Sequence, residues 1–238
     1  MRILVTNDDG IDSVGLHVLA RTMREHGDVT ILAPDSEYSG ASAAFGAIHI
    51  MRPDIHRVSV DGIDEAWALT GPPALCVMMA HLGILDKKFD LIVSGINPGA
   101  NVGRSVYHSG TIGATLTGRN YGISGVAVSQ AVAGFGVEGQ GWDEMVKGQI
   151  WDTAATVASR VVGGLVAQLL ALVGLHHCLA HGGDPLLRHA RTHQERPADD
   201  GRAHGHVEQQ LVVGGLGQGA GEGHALPLGV RLLFRSEE

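Results

Sequence analysis

Two adjacent carboxylates, Asp8 and Asp9, followed at once by Gly10, are the first residues in this chain whose types could do chemistry. Side by side and without a basic neighbour, they need a cation, and hard oxygen donors of this kind suit magnesium, manganese or calcium. The competing reading is a solvated turn, since Asn, Asp and Gly are ordinary turn residues. Further along, Ser39 and Ser42 in one glycine-containing stretch and Asn97 and Asn101 in another supply more neutral oxygens. With water completing the shell, these six residues make a six-coordinate site for magnesium or manganese. Zinc is disfavoured because the set holds no Cys or His. Ser109, Gly110 and Thr111 then precede a helical pattern, where exposed backbone N–H groups and two hydroxyls form an anion pocket. Taken alone, Ser109 reads more simply as a helix N-cap. A cation and an anion-binding helix start on one edge describe a phosphate-ester site.

The elements that must bring these groups together are legible from periodicity. Residues 3–6 are apolar and β-branched and predict a buried strand ending at the acidic pair. Leu16, Leu19, Ala20 and Met23 recur at helical spacing over 15–25, and 29–33 is a second strand closed by Pro34 and Asp35. Strand, helix and strand at this spacing form a βαβ unit, whose parallel strands put both C-terminal ends on one edge. The stretch 35–46 therefore lies near Asp8 and Asp9. Segments 57–60 and 65–69 flank an Asp61-Gly62 turn and predict a hairpin. Pro73 starts a helix through Ala80, and 90–94 is a strand followed by the long loop GINPGANVGRSVYHSG. A helix over 111–121, a strand over 125–129, a glycine-rich loop over 130–141 and a long helix over 151–172 complete the pattern. This alternation predicts a Rossmann-like, doubly wound, mostly parallel sheet between two helical layers, a three-layer α/β fold.

Composition narrows the function. The 238 residues allow one large α/β domain, and 35 glycines fit a sheet with many tight turns. A formal net charge of -8 argues against a stable nucleic-acid complex, whose affinity rests on Lys and Arg neutralising phosphates. Cys76 and Cys178 are the two cysteines, so no disulfide framework is implied. The apolar run at 3–5 is too short for a signal segment, and the run at 161–175 is broken by Gly163, Gly164 and Gln168. A cytoplasmic protein without a membrane anchor is expected. A dinucleotide-dependent oxidoreductase is disfavoured, because the first turn carries Gly10 and Gly15 without the closely spaced glycines that a pyrophosphate needs.

VTNDDG at 5–10, APDSEYSGAS at 33–42, SGINPGANVG at 94–103 and HSGTIGA at 108–114 resemble, in order, the motifs of the SurE (survival protein E) family. The resemblance implies a metal-dependent phosphatase acting on nucleoside monophosphates. It implies that Asp8, Asp9, Ser39 and Asn97 hold one divalent ion, magnesium or manganese, and that Asn101, Ser109, Gly110 and Thr111 lie around the phosphate. It further implies a Rossmann-like core and a homodimer or homotetramer. The family carries acidic residues just before the HSGT-like motif in some members, where this chain has Arg104 and Ser105.

The expected domain limits are 1–173 for the phosphatase core and 174–238 for an irregular C-terminal segment. Eight of the 14 histidines lie beyond residue 173, with many Gly and Arg and few strand-like runs apart from 211–213 and 230–234. His176, His177, His181, His189, His193, His204 and His206 match no compact ligand motif. Few large apolar side chains are present to offset ordering entropy, so irregular structure is expected, and the abrupt change suggests a divergent or out-of-frame ending. The activity expected is hydrolysis of nucleoside 5′-monophosphates, with 3′-monophosphates and short polyphosphate as further substrates. Asp8 and Asp9 carry the catalysis by holding a metal that polarises phosphate and activates water, with direct attack by Asp8 as the rival mechanism. The non-enzymatic alternative is a nucleotide-binding or assembly protein with a defective C-terminal part.

Overall fold

Side chains along the first strand point alternately to opposite faces, and the core is built on that alternation. In the computed structural model, which describes residues 1–50, 52–132, 146–180, 209–216 and 230–234, β1 (Arg2–Thr6) sends Ile3 and Val5 to one face and Leu4 to the other. Leu4 is 1% exposed, a burial that contributes about 1.5–3 kcal/mol.

The face under Ile3 and Val5 is covered by α1 (Val14–Met23), through Leu16, Leu19, Ala20 and Met23, and by α4 (Trp151–Ala180), through Trp151, Ala154, Ala155 and Ala158. The opposite face is covered by α2 (Pro73–His81) and α3 (Gly110–Asn120). Leu75, Cys76 and Val77 of α2 and Ala114 of α3 pack there on Leu4, Leu32 and Ile92. Cys76 is a free, buried thiol whose burial pushes its pKa up, as befits a small core residue.

The sheet contains β2 (Asp28–Pro34), the hairpin β3 (Ile55–Val60) and β4 (Ile63–Leu69), β5 (Leu91–Pro98), β6 (Ser124–Ala131), β7 (Gln209–Leu216) and β8 (Val230–Phe234). Its order is β3-β4-β2-β1-β5-β6-β7-β8. The five inner pairings are parallel and the two outer ones, β3 with β4 and β7 with β8, are antiparallel. The three-layer, mostly parallel α/β fold expected from the sequence is thus observed. The chain moves from β1 to β2 on one side and reaches β5 on the other, so the crevice beyond β1 and β5 is a topological switch point.

Two differences from the sequence reading matter. The strand expected to stop at residue 94 runs on to Pro98, because Asn97 and Pro98 pair with Ser129 and Gln130 after a register shift beyond Ser94. Asn97 therefore stands in a strand rather than in a loop. The boundary expected at 173/174 falls inside α4, and the two later strands join the sheet built by the first 131 residues. The glycine-rich loop expected over 130–141 and most of the histidine-rich stretch lie outside the described residues.

Candidate active site

Asn7 closes the turn after β1 by donating from Nδ2 to the Gly10 carbonyl at 3.0 Å, and Gly10 adopts φ +99°, a conformation that favours glycine. That turn sets Asp8 and Asp9 at the switch point. Asp8 points towards the α3 side of the sheet and is 4% exposed. Its Oδ2 accepts from the Gly110 amide at 3.1 Å and its Oδ1 from the Thr111 hydroxyl at 2.6 Å. A Cβ on Gly110 would meet Asp8 Oδ2 at 2.8 Å, so glycine is what lets the helix start approach the carboxylate.

Thr111 joins Asp8 to Asn97. Its Oγ1 lies 3.2 Å from Asn97 Oδ1, but one hydroxyl proton serves mainly the nearer carboxylate. Asn97 Nδ2 donates to the Gly99 carbonyl at 2.7 Å, which turns Oδ1 inward as an acceptor. Asp9 completes the group. Its Oδ2 is buried and has no hydrogen-bond partner among the described residues.

The electrostatics carry the same message. Burial pushes the Asp9 carboxyl up, and the charges of Asp8 and Glu37 push it further, to about 8. Asp8 is also raised, by burial, against the opposing pull of the Thr111 hydroxyl and the Gly110 and Thr111 amides. The buried Asp8 carboxyl, the half-buried Asp9 with its orphaned inner oxygen and the inward Asn97 amide oxygen form an acceptor-rich cluster that fits a hard cation. Among the described residues no group of three His, Cys, Asp or Glu could hold a metal, so any ion here must also use neutral oxygens or water.

The remaining expected residues divide. Tyr38 donates its amide to the Asp8 carbonyl at 2.8 Å, which brings the loop after β2 against the acidic turn. Ser39 follows it, but is exposed and donates to Glu37 at 2.7 Å, with no hydrogen bond to Asp8, Asp9 or Asn97 among the described residues. Ser42 donates its amide to the His108 carbonyl at 3.3 Å and so ties the second loop to the third. Asn101 donates to Ser129 Oγ at 2.9 Å and is anchored to the end of β6. Ser109 is the N-cap of α3, accepting from the Ile112 amide at 3.1 Å. Gly110 and Thr111, expected around phosphate, are engaged by Asp8.

Sequence reasoning missed Glu37 and Ser129. Glu37 had a signal, an acidic side chain two residues before Ser39 in the same strand-end loop. Ser129 had none, because only the β5–β6 register brings it to Asn101.

The family description "Survival protein SurE" matches residues 3–185 of the chain, beyond the limit near 173 expected from the motifs alone. A "5'-nucleotidase SurE" of Acinetobacter baylyi is 43% identical over 131 residues, covering 55% of this chain and 49% of that protein. One of the same name from Methanopyrus kandleri is 43% identical over 132 residues, 56% of this chain and 49% of its own length. Another, from Rhodopirellula baltica, is 38% identical over 168 residues, 70% and 60% of the two chains. The chain thus spans about half the length of the first two relatives. The crystal structure of the SurE protein from Aquifex aeolicus superposes with a TM-score of 0.61 at 24% identity, covering 91% of this chain and 67% of that one, and shares its fold.

Proposed function

This chain belongs to the survival protein SurE family, and from that membership we propose that it is a metal-dependent phosphomonoesterase acting on nucleoside 5′-monophosphates. The observation that carries the reading is the buried, unpartnered Asp9 Oδ2 beside Asp8 and the inward Asn97 oxygen, at the start of α3. The relatives named 5'-nucleotidase support the substrate class.

Asp8, Asp9 and Asn97 would hold one divalent ion, magnesium or manganese, with Ser39 brought in by rotation of its hydroxyl away from Glu37. Such an ion supplies Lewis-acid polarisation of a phosphoryl oxygen and a nucleophilic water at neutral pH. The protein's own part is orientation and field. Thr111 and the Gly110 amide hold Asp8 in place, leaving each of its oxygens a further lone pair. The positive end of α3, fixed by the Ser109 cap, favours a phosphate arriving beside it. Asn101, anchored on Ser129, would meet the phosphate from the end of β6.

The reading extends to 3′-monophosphates and short polyphosphate as further substrates, to a homodimer or homotetramer, and to the cytoplasm. Among the described residues no helix is long and apolar enough to cross a membrane. The test is phosphate release from nucleoside 5′-monophosphates with magnesium, manganese or chelator, beside nucleotide binding measured by calorimetry. Release that depends on the ion is expected. Binding without release under every ion would overturn the enzymatic reading in favour of a nucleotide-binding protein.

A further inference from the structure

Aromatic side chains are scarce in this chain, yet of its four Phe, three Trp and three Tyr, three residues stand on the two loops beside the acidic turn. Tyr38 and Phe45 lie on the loop after β2, and Tyr107 ends the short 3-10 helix Gly103–Tyr107. Both Tyr38 and Phe45 are partly buried. Tyr107 is 76% exposed, with Val102, the residue before that helix, 60% exposed. A large aromatic ring left in water has an unspent apolar face.

Tyr107 is also close to the chemistry. It stands three positions before Gly110, so their Cα atoms are at most about 11 Å apart. Its neighbour His108 accepts from the Ser42 amide at 3.3 Å, which fixes the end of the 3-10 helix against the first aromatic loop. On that loop the Tyr38 amide is bound to the Asp8 carbonyl at 2.8 Å. The two loops are therefore tied to each other and to the acidic turn, and both carry aromatic residues.

We propose that Tyr107 is the nucleobase platform of this site: with phosphate at the start of α3, the base of a nucleoside monophosphate stacks on its ring. The assignment rests on the phosphatase reading for the position of the phosphate. Stacking needs only a π-face, so the platform serves purines and pyrimidines alike, purines more strongly for their larger ring. It also gives a nucleotide an advantage over a phosphate ester that lacks a base.

The experiment compares adenosine 5′-monophosphate with ribose 5-phosphate, which differ in the base, on the full chain loaded with manganese. For each ligand kcat/KM and the calorimetric Kd are measured in the wild type, Tyr107→Ala and Tyr107→Phe, with thermal melts confirming that this exposed position leaves folding intact. The ratio of the two ligands is expected to fall about tenfold in Tyr107→Ala and to recover in Tyr107→Phe. A ratio in Tyr107→Ala equal to that of the wild type would overturn the assignment. If the wild type releases phosphate from neither ester, the phosphatase reading fails by itself, and the ratio of the two Kd values still decides the role of Tyr107 in the same way.

Discussion

The two edges of the parallel sheet handle charge in opposite ways. At the N-terminal edge a cleft of about 530 Å³ is lined by Arg2, Arg24, Thr30, Asp64, Glu65 and Lys87. Its central charges are matched there: Lys87 is ion-paired with Glu65, and Glu65 also accepts from Trp67 Nε1 at 3.1 Å. At the C-terminal edge Asp8 and Asp9 face Glu37, Asn97 and the start of α3, and no Lys or Arg is paired with them among the described residues. The edge with this cleft is electrostatically settled, whereas the other holds buried charge that its own residues leave uncompensated. A protein keeps such a group where something else completes it, so the site is to be sought in the unmet charge and not in the charge-matched cleft.

The sharpest break of that contrast is by substitution at each edge. Asp9→Ala or Asn97→Ala is expected to abolish ion-dependent phosphate release, a loss beyond the roughly 10–100-fold that follows removal of a supporting partner. Lys87→Met should leave turnover unchanged. Full activity in either site variant, or its loss in Lys87→Met, would reverse the assignment of the two edges.

Thr111→Val tests the support beneath Asp8. It removes the hydroxyl that bonds Asp8 at 2.6 Å while keeping the shape of the side chain. Manganese affinity by calorimetry should fall about 10–100-fold, with Thr111→Ser restoring much of it. An unchanged affinity would mean that α3 holds Asp8 through its amides alone.

Thr111 also marks the limit of what the sequence made legible. The βαβ pattern and the parallel connections sufficed to place Asp8, the 35–46 loop and Asn97 on one edge, because strand direction follows from local periodicity. They left Gly110 and Thr111 as free donors to phosphate, since nothing local reveals that a carboxylate about a hundred residues earlier has claimed them. Local pattern puts Asn97 in a loop for a similar reason. The register shift beyond Ser94 interrupts the local pattern, and pairing with β6 alone carries the strand onward. The loop that carries Ser39 is tied to the acidic turn through Tyr38, but the bond of Ser39 to Glu37 depends on a rotamer that spacing does not encode.

A smaller effect separates the edges by pH without added ion. The Asp9 carboxyl binds its proton more tightly folded, at about 8, than at its ordinary 3.8, and Asp8 is raised in the same direction. The folded state therefore holds more protons than the unfolded one between these values, and the ion-free protein loses stability as pH rises from about 4 towards 8. Asp9→Asn removes most of this cost and should raise the melting temperature of chelated protein by several degrees at pH 8, with the advantage fading towards pH 4. A wild type whose ion-free melting temperature climbs over that range would refute buried repulsion at this edge.

The opposite edge should respond with the opposite sign and the least amplitude. Burial alone pushes the Glu65 carboxyl up, but Lys87, Trp67 and Thr30 together hold it below its ordinary value. A depressed carboxyl stabilises the fold above its unfolded pKa, and that contribution is lost as pH falls through the folded one. Lys87 and Glu65 remain a quarter exposed, so solvent limits their pair to about 0–1 kcal/mol, a few degrees in melting temperature at most. Lys87→Met should show that small deficit at pH 7 and approach the wild type once the pH has fallen through the depressed folded-state pKa of Glu65, where the carboxyl is protonated in both. A deficit that persists undiminished in acid would show that Lys87 acts there through its packed methylene stem, and the contrast between the edges would then be one of shape as much as of charge.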